Sequence, residues 1–452
     1  MIDFDRFVKY SKPGPRYTSY PTALEFSENF KYDDYIARLK GGDKPLSLYF
    51  HMPFCRSACY FCGCNVTYTT NQAKMARYLD YLERELDLLS GVLDTRREVV
   101  QMHFGGGTPT YYDAKSLERV FKAIGAHFSN FASDVEISCE IDPRYFNAEQ
   151  MAVFKAYGLN RVSFGVQDFD EKVQREIHRI QPFEITQKAV QIARDGGIKS
   201  INTDLIYGLP YQSPKSFANT LEIAVSLSPE RFAIFNYAHV PWIKKSMRKF
   251  DETTLPSPAS KLEILKHTME YLPSKGYEMI GMDHYAKPDD ELFSALKNGS
   301  LHRNFQGYTT KGGADLIGIG LTSIGEGDDY YAQNYKDLAG YEAAIDAGRL
   351  PNAKGVFLSS EDRLRKAVIM SLMANFALDI KALESSFSID FSAHFKSEIE
   401  ALKNSLGEFV DISKDKITVN ETGALLIRNI AMCFDEYMAR HANNAQSFSK
   451  TV

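Results

Sequence analysis

Cys55-Arg56-Ser57-Ala58-Cys59-Tyr60-Phe61-Cys62 brings three thiols together within eight residues of this 452-residue chain. The stretch directly follows residues 46–50, a short apolar run with the length and composition of a buried strand. The chain has six cysteines, and four of them fall between positions 55 and 64. Such crowding indicates a metal or cluster site rather than disulfides. Cys139 and Cys433 stand alone in apolar segments, which is typical of buried small side chains.

Outward from the cysteines, short apolar runs alternate with amphipathic segments as far as residue 236. The runs predict six strands, at 46–50, 99–104, 135–141, 161–166, 201–207 and 231–235. Helical segments separate them, at 73–89, 114–128, 148–157, 185–195 and 216–227. This alternation predicts βαβ units and a parallel sheet, either open or curled into a partial barrel. The predicted fold class is therefore α/β.

The regions on either side of the β/α segment, which spans residues 45–240, have other patterns. Residues 1–44 predict an irregular N-terminal arm, because Pro13, Gly14, Pro15 and Pro21 interrupt regular structure. Residues 241–358 predict an extension of the barrel that carries segments of the substrate pocket. Residues 359–452 predict a mostly helical C-terminal domain with one short strand at 417–419.

The composition argues against several classes of protein. The chain has 53 basic and 58 acidic side chains, and a formal net charge of −5 gives no indication of a nucleic-acid partner. No apolar run approaches the roughly 18–20 residues that span a bilayer. Residues 1–6 lack the charged and apolar regions of a signal peptide. We therefore expect a cytoplasmic monomer that has no membrane or nucleic-acid partner.

Polar residues and glycines recur where the predicted strands end. Parallel α/β folds bind ligands at the carboxyl ends of their strands, so these residues are expected to share one site. Each of the six predicted strands has one such residue near or just beyond its end. In chain order these residues are Cys55, Gly105, Glu140, Gln167, Asp204 and Asn236.

The cysteine spacing suits a cubane [4Fe–4S] cluster. Such clusters usually take four cysteines, so three leave one iron open to bind a further ligand, as an open zinc position does. Cys64, two residues beyond Cys62, is awkwardly placed for the same cube. The alternative is a structural zinc site made of Cys55, Cys59, Cys62 and Cys64, although zinc sites tend to use two separated pairs.

The cysteine motif, placed after the first strand of a repeated β/α pattern, resembles the signature of the radical S-adenosylmethionine superfamily. The resemblance implies a partial (β/α)6 barrel with Cys55, Cys59 and Cys62 as ligands of a [4Fe–4S] cluster. It also implies that S-adenosylmethionine chelates the open iron and that one electron from the cluster releases a 5′-deoxyadenosyl radical. Gly105-Gly106-Gly107 is similar to the superfamily loop that meets the amino group of adenosylmethionine.

Further motifs resemble one family of that superfamily, the oxygen-independent coproporphyrinogen III oxidases, also called coproporphyrinogen dehydrogenases. The resemblance covers the chain from about residue 10, and its motifs lie at residues 14–22, 51–55, 62–65, 165–169, 204–210, 235–239, 302–310 and 425–430. It implies oxidative decarboxylation of two propionate side chains of coproporphyrinogen III, which gives the vinyl groups of protoporphyrinogen IX in anaerobic haem biosynthesis. An electron donor and an electron acceptor, both unidentified, are implied as partners.

The same resemblance implies two bound molecules of S-adenosylmethionine. The first would meet Tyr49, Gly106, Glu140 and Ile324. The second would meet Phe61, Gly107, Thr108, Gln167, Arg179, Asp204 and Ala238. No catalytic residue beyond the cluster and the cofactor is implied. As alternatives, Arg179 and Asp204 form an ordinary ion pair, and Ala238 and Ile324 are plain packing residues.

The substrate of this family carries four carboxylates, which arginine and tyrosine side chains would bind. The candidates in matching motifs are Arg16, Tyr17, Tyr20, Arg303 and Tyr308. A related class, the radical-S-adenosylmethionine-like haem chaperones without oxidase activity, is the alternative function. Those relatives usually lack the arm motif at residues 16–21 and have aspartate where this chain has Gly63, so both features favour the oxidase.

Overall fold

A computed structural model of the chain describes residues 9–441, 448, 450 and 451. Residues 1–6, which carry the argument against a signal peptide, and the first part of the predicted arm lie outside the described residues. Within the described part of the chain, we find no helix with the length and apolar character needed to cross a membrane.

The strands follow the chain in this order: β1 (Leu46–Met52), β2 (Phe54–Cys55), β3 (Thr67–Tyr68), β4 (Val99–Gly106), β5 (Phe131–Ile141), β6 (Arg161–Gln167), β7 (Ser200–Tyr207), β8 (Arg231–Asn236), β9 (Glu278–Gly281), β10 (His284–Ala286), β11 (His302–Asn304), β12 (Gly307–Thr309), β13 (Asp315–Ile319), β14 (Ile324–Glu326), β15 (Tyr330–Asn334), β16 (Asn352–Phe357), β17 (Ala377–Asp379), β18 (Val410–Ile412) and β19 (Lys416–Val419).

The α-helices are α1 (Tyr32–Gly41), α2 (Gln72–Ser90), α3 (Ala114–His127), α4 (Ala148–Ala156), α5 (Glu171–Glu176), α6 (Phe183–Asp195), α7 (Pro214–Ser226), α8 (Pro258–Ser274), α9 (Glu291–Lys297), α10 (Leu338–Asp346), α11 (Ser360–Asn375), α12 (Ile380–Phe387), α13 (Phe391–His394), α14 (Lys396–Leu406), α15 (Glu421–Ala424), α16 (Ile427–Ala431) and α17 (Met438–His441).

One twelve-stranded sheet forms the frame of the molecule, in the order β16-β15-β14-β13-β1-β4-β5-β6-β7-β8-β10-β9. Neighbours from β13 to β8 pair in parallel. Helices α2 to α7 connect the six parallel strands from β1 to β8. The predicted α/β fold with six β/α units is therefore confirmed. Antiparallel strands extend the sheet at both edges.

The parallel strands form because alternate side chains are apolar, and this face of the sheet is buried under the helices. In β1, Leu48, Phe50 and Met52 are completely buried. The helices between the strands begin at strong capping signals, and Asn147 and Ser213 each complete a reciprocal capping box for α4 and α7. Local sequence thus sets where each β/α unit begins, and burial sets its orientation.

The arm is more regular than its prolines suggest. The expectation of an irregular segment over residues 1–44 is wrong for its last part, because α1 occupies Tyr32–Gly41. No proline follows Pro21 in the arm, and α1 has acidic residues in its first turn and basic residues in its last, which favours a helix. Its buried residues, Tyr35 and Leu39, pack against the main core.

A second cluster of buried apolar side chains lies in the C-terminal region, mainly in α11, α12, α14 and α16. Tyr17 and Tyr20 of the arm belong to this cluster rather than to the core of the sheet. The region is mostly helical as predicted, and the expected strand at 417–419 is part of β19, which pairs with β17 and β18. The limits proposed for the arm, the barrel, its extension and the C-terminal domain stay predictions.

Candidate functional site

The three cysteines line one cavity of about 420 Å³ at the carboxyl ends of the parallel strands. That volume lies within the range of about 300–1,000 Å³ typical of small-molecule sites. Cys55 ends β2, and the Cys62 amide donates a 3.1 Å hydrogen bond to the Cys59 carbonyl, which closes the loop into a turn. Cys64 lines the same cavity. The six cysteines, including these four, form no disulfides.

Two arginine side chains lie on one side of the cysteine loop. Nη2 of Arg144 lies 3.8 Å from Sγ of Cys59, and Nη1 of Arg179 lies 3.7 Å from the same sulfur. Guanidinium groups stabilise thiolates, the form in which cysteine binds metal. Three free thiols on one loop, with two arginines beside them, fit an anionic iron–sulfur cluster.

The fourth thiol has a different relationship to the loop. Cys64 hydrogen bonds to Cys62 and thereby lowers the pKa of the Cys62 thiol. Within the described residues, no three His, Cys, Asp or Glu side chains converge on a point that one metal ion could occupy. A cluster with several irons does not require the side chains to converge on one point, because each thiolate binds a different iron.

The glycine loop after β4 packs tightly against the strand that leads into the cysteines. The Gly107 amide donates to the Met52 carbonyl at 2.9 Å, and the Thr108 amide donates to the Phe54 carbonyl at 3.1 Å. Gly106 has a φ of +104°, and a Cβ there would lie 2.4 Å from the His51 ring. Glycine is therefore required at position 106 for both its conformation and its close contact.

Glu140 presents a half-exposed carboxylate to the cavity near the end of β5. Its Oε2 accepts a 3.1 Å hydrogen bond from the Gly106 amide, and its Oε1 lies 3.6 Å from Nε2 of His103. Burial alone raises the pKa of Glu140, but the interactions with His103 and the Gly106 amide outweigh burial and lower it. The side chain is thus a fixed anionic hydrogen-bond acceptor in the cavity.

Arg179 is buried beside the cysteine loop and has several fixed partners. Its Nη1 donates to Oδ2 of Asp142 at 2.9 Å, and its Nη2 donates to the Gly165 carbonyl at 2.6 Å. Its Nε is buried without a partner among the described residues. One donor of this guanidinium is therefore unused.

Asp204 does not pair with Arg179, so the alternative of an ordinary ion pair between the two side chains is not found. Its carboxylate instead accepts hydrogen bonds from Nδ2 of Asn202 at 2.7 Å and Oγ of Ser163 at 3.0 Å. Burial, and then the charge of Glu140, raises the pKa of Asp204 to about 7. The carboxyl group therefore titrates near neutral pH.

The cavity collects most residues that the sequence predicts for the cofactors. Its lining includes Phe61, Gly106, Gly107, Thr108, Glu140, Gln167, Arg179, Asp204 and Ala238. Tyr49 and Ile324 are not among the lining residues. They are nonetheless close together, because Tyr49 pairs with Gly318 of β13, and a Cβ on Gly318 would lie 2.7 Å from the backbone of Ile324.

The tyrosines predicted for the substrate pocket use their hydroxyl groups elsewhere. Tyr17 donates to Oδ2 of Asp435 at 2.7 Å, and Tyr20 accepts from the Glu436 amide at 3.2 Å. Tyr308 accepts from the Met282 amide at 3.0 Å. These groups fix the arm and the C-terminal region.

The two predicted arginines differ from the tyrosines. Arg16 forms an ion pair with Asp283, and its guanidinium lies 5.7 Å from the ring of Phe235, which lines the cavity. Arg303 is buried, and its Nη1 has no partner among the described residues. Arg16 therefore adjoins the cavity through Phe235, and Arg303 has an unused hydrogen-bond donor.

Sequence reasoning missed Asp142 and Arg144. Both line the cavity, and Asp142 accepts hydrogen bonds from both Arg144 and Arg179. Asp142 follows Glu140 by two residues at the end of the same strand, so its position was a usable signal. Arg144 had no such signal, because it reaches Cys59 only through the turn after β5.

Comparison with known families finds two matches in the chain. The model of the Radical SAM superfamily matches residues 49–224, and the model of the HemN C-terminal domain matches residues 358–426. The first match contains the cysteine loop and five of the six parallel strands, from within β1 to β7, and the second covers most of the C-terminal region.

Individual proteins are similar over their full length. An oxygen-independent coproporphyrinogen III oxidase of Helicobacter pylori is 55% identical, with 100% of this chain and 99% of the relative covered. A protein of the same name from Escherichia coli is 45% identical over the same shares. A solved structure described as coproporphyrinogen III oxidase (HemN) from Escherichia coli, a radical SAM enzyme, superposes with a TM-score of 0.92 at 44% identity. That superposition covers 96% of this chain and 99% of the other.

Proposed function

The chain belongs to the oxygen-independent coproporphyrinogen III oxidase family of the radical S-adenosylmethionine superfamily, and from this membership we propose its reaction and the roles of its residues. The reaction is oxidative decarboxylation of two propionate side chains of coproporphyrinogen III to the vinyl groups of protoporphyrinogen IX. The observation that carries this proposal is one cavity that holds Cys55, Cys59 and Cys62 together with Glu140 and Arg179.

Cys55, Cys59 and Cys62 would hold the [4Fe–4S] cluster of the family and leave one iron free for S-adenosylmethionine. With adenosylmethionine bound, the cluster would supply the one electron that cleaves it, and thereby the radical chemistry that removes a hydrogen atom from the propionate carbon next to the ring. The neighbouring Arg144 and Arg179 offset part of the negative charge of the thiolates. The zinc alternative is not supported by the family match.

Glu140 would bind and orient the first adenosylmethionine. Its carboxylate is held by the Gly106 amide and remains half exposed in the cavity, so it has free acceptor positions for ribose hydroxyl groups. Gly106 and Gly107 line the cavity beside it, and without side chains their backbone can approach the amino acid part of the ligand closely. Tyr49 and Ile324 would contact this ligand from β1 and β14.

A second adenosylmethionine would lie toward the later strands. Gln167, Arg179, Asp204 and Ala238 come from β6, the segment before α6, β7 and the segment after β8, and all four line the cavity. The buried, unpartnered Nε of Arg179 suits a carboxylate ligand. Phe61, Gly107 and Thr108 would complete this site from the cluster side.

Electron balance requires two partners. Each of the two decarboxylations would take one electron to cleave one adenosylmethionine, and would release one electron together with carbon dioxide as the vinyl group forms. The electron therefore enters from a donor and leaves to an acceptor, neither of which is identified. The cytoplasmic location and the monomeric state expected from the sequence stay predictions.

The test is an anaerobic assay of reconstituted protein with coproporphyrinogen III, S-adenosylmethionine and a chemical reductant. We expect protoporphyrinogen IX, and a Cys59→Ala variant should give none. The haem-chaperone alternative has no support among the relatives, and it predicts stoichiometric retention of added haem without product. Haem retention by a wild-type protein that makes no protoporphyrinogen would overturn the proposal.

A further inference from the structure

Three arginines surround one carboxylate beside the end of β8. Arg16 of the arm pairs with Asp283, and the Asp283 carbonyl accepts a 2.7 Å hydrogen bond from the Ile234 amide, which fixes Asp283 against β8. Arg303 precedes the β11–β12 turn, and Arg428 belongs to α16. We refer to Arg16, Arg303 and Arg428 with Asp283 as the arginine cluster.

Arg303 leaves the arginine cluster with a positive charge that has no ionic partner in the described part of the chain. Asp283 pairs with Arg16, whereas among the described residues Arg303, which is 9% exposed, forms no ion pair. Buried charge without a counter-ion is costly, so an arrangement of this kind is expected to gain an anion when it functions.

Unused hydrogen-bonding groups lie at the same place. Arg303 donates from Nε to the Tyr17 carbonyl at 3.3 Å, whereas its Nη1 is buried without a partner among the described residues. Nδ1 of His284 and both side-chain polar atoms of Gln306 are also buried without partners there. A guanidinium with a free donor, 9% exposed, is suited to a carboxylate ligand.

Phe235 joins the arginine cluster to the cavity. Its ring lines the cavity, lies 5.7 Å from the guanidinium of Arg16 and makes an edge contact of 5.7 Å with His284. The cysteines follow β1, the first of the six parallel strands, and the arginine cluster follows β8, the last. The arginine cluster therefore adjoins the cavity through Phe235, although its own side chains are not among the residues that line the cavity.

We propose that Arg16 and Arg303 form a subsite that binds a propionate carboxylate of the substrate remote from the one that reacts, while Arg428 positions the arm that carries Arg16. This inference rests on the proposed function, because it takes its ligand class from the tetracarboxylate substrate. Arg428 donates to the carbonyl oxygens of Gly14 and Pro15, directly before Arg16, and so acts on the subsite through the arm. The three tyrosines predicted for the pocket are structural in this arrangement.

The test measures binding of coproporphyrin III, the stable oxidised tetracarboxylate, to anaerobically reconstituted protein by fluorescence. Removing a hydrogen bond between charged partners should weaken affinity about tenfold to a hundredfold in Arg16→Met and Arg303→Met. Arg303→Lys should fall between Arg303→Met and wild type, because it retains the charge but loses the planar fork. Arg96→Met is the matched control, since that side chain is 89% exposed, and it should bind like wild type.

The tetramethyl ester of coproporphyrin III separates carboxylate binding from packing. It has no carboxylates, so wild type and the two methionine variants should bind it with equal affinity. Equal binding of the free acid by Arg16→Met, Arg303→Met and wild type would overturn the subsite. If Arg303→Met fails to fold, Arg16→Met alone tests the subsite. The Arg16 side chain is 34% exposed, so its replacement should not prevent folding.

Failure of the subsite and failure of the proposed function give different results. Turnover of coproporphyrinogen III by wild type, with unchanged coproporphyrin binding in both variants, removes only the subsite. Absence of turnover by reconstituted wild type, with binding that depends on Arg16 and Arg303, removes the proposed reaction and keeps the carboxylate subsite.

Discussion

Nη1 of Arg179 lies 2.9 Å from Oδ2 of Asp142, and both side chains are buried, at 8% and 6% exposure. The pair joins the segment before α6 to the end of β5. It also fixes the guanidinium so that the same Nη1 atom stands 3.7 Å from Sγ of Cys59. Arg179 is thereby positioned beside the cysteine loop, where we propose that the second adenosylmethionine binds.

Arg179→Ala should therefore remove one ligand and retain the other. Equilibrium binding of labelled S-adenosylmethionine should count about two molecules per wild-type chain and about one per variant chain, since a charged hydrogen bond contributes about 1.5–3 kcal/mol. Arg175→Ala is the matched control, because Arg175 lies on α5 with a 67% exposed side chain, and it should retain both ligands.

Loss of Arg179 also leaves Asp142 with Arg144 as its remaining ionic partner, so the fold must be monitored. Thermal unfolding and iron content should show that the variant is folded and loaded. A folded wild type that never binds more than one molecule per chain would contradict the two-site assignment, while the cluster chemistry would be unaffected.

The cluster ligands can be tested by iron and sulfide analysis. Anaerobically purified wild type should contain about four irons and four sulfides per chain, as a cubane requires. Cys55→Ala, Cys59→Ala and Cys62→Ala should each lose them. Cys139→Ala should retain them, because Cys139 is buried in β5 and does not line the cavity. Stoichiometric zinc without sulfide in wild type would sink the assignment.

Glu140→Gln should weaken adenosylmethionine binding at the cluster and slow its cleavage. The amide retains the size of the side chain but loses the charge, so we expect an effect of about tenfold to a hundredfold on the binding constant. Glu149→Gln, at an exposed position on α4, serves as the control. Unchanged affinity in Glu140→Gln would contradict a role of the carboxylate in binding adenosylmethionine.

Asp204 predicts a pH dependence of stability in protein without cluster. Its pKa is raised to about 7 in the folded state, against about 3.9 for an unfolded aspartate. Between these values the folded state holds a proton that the unfolded state has lost, so this group makes stability fall as pH rises. Asp204→Asn removes that contribution.

The melting temperature of Asp204→Asn minus that of wild type should therefore increase from about pH 5 to about pH 7 and then level off. Asp411→Asn, at an exposed position, should show no such trend. A difference that is constant or that decreases with pH would contradict the raised pKa.

Local features of the sequence predicted the six parallel strands and the cysteine site. Apolar-rich runs of strand length mark the strands that helices cover on one face, and the cysteine spacing is itself a local property. The antiparallel strands were beyond such reasoning. β10 and β14 have only three residues each, too few for a periodicity to be recognised.

Contacts between distant parts of the chain were equally hidden. The Arg428 side chain donates a hydrogen bond to the Gly14 carbonyl, 414 residues earlier. Neither segment has a sequence pattern that predicts this contact. The same holds for Arg16 and Asp283, which are 267 residues apart. Residue type suggested Arg16 as a carboxylate ligand, but only the three-dimensional structure identifies Asp283 and Arg428 as its neighbours.

The attachment of the arm has a consequence for synthesis on the ribosome. Arg428 holds the carbonyls of Gly14 and Pro15, and the Thr451 amide donates to the Lys12 carbonyl at 2.8 Å. A nascent chain that has emerged as far as β8 contains every cysteine of the loop and all six parallel strands. The arm is translated first, but Arg428 and Thr451, which hold it in place, are translated last. Arg16 can therefore reach its final position only after those segments are made. The earliest part of the polypeptide is thus among the last to reach its final position.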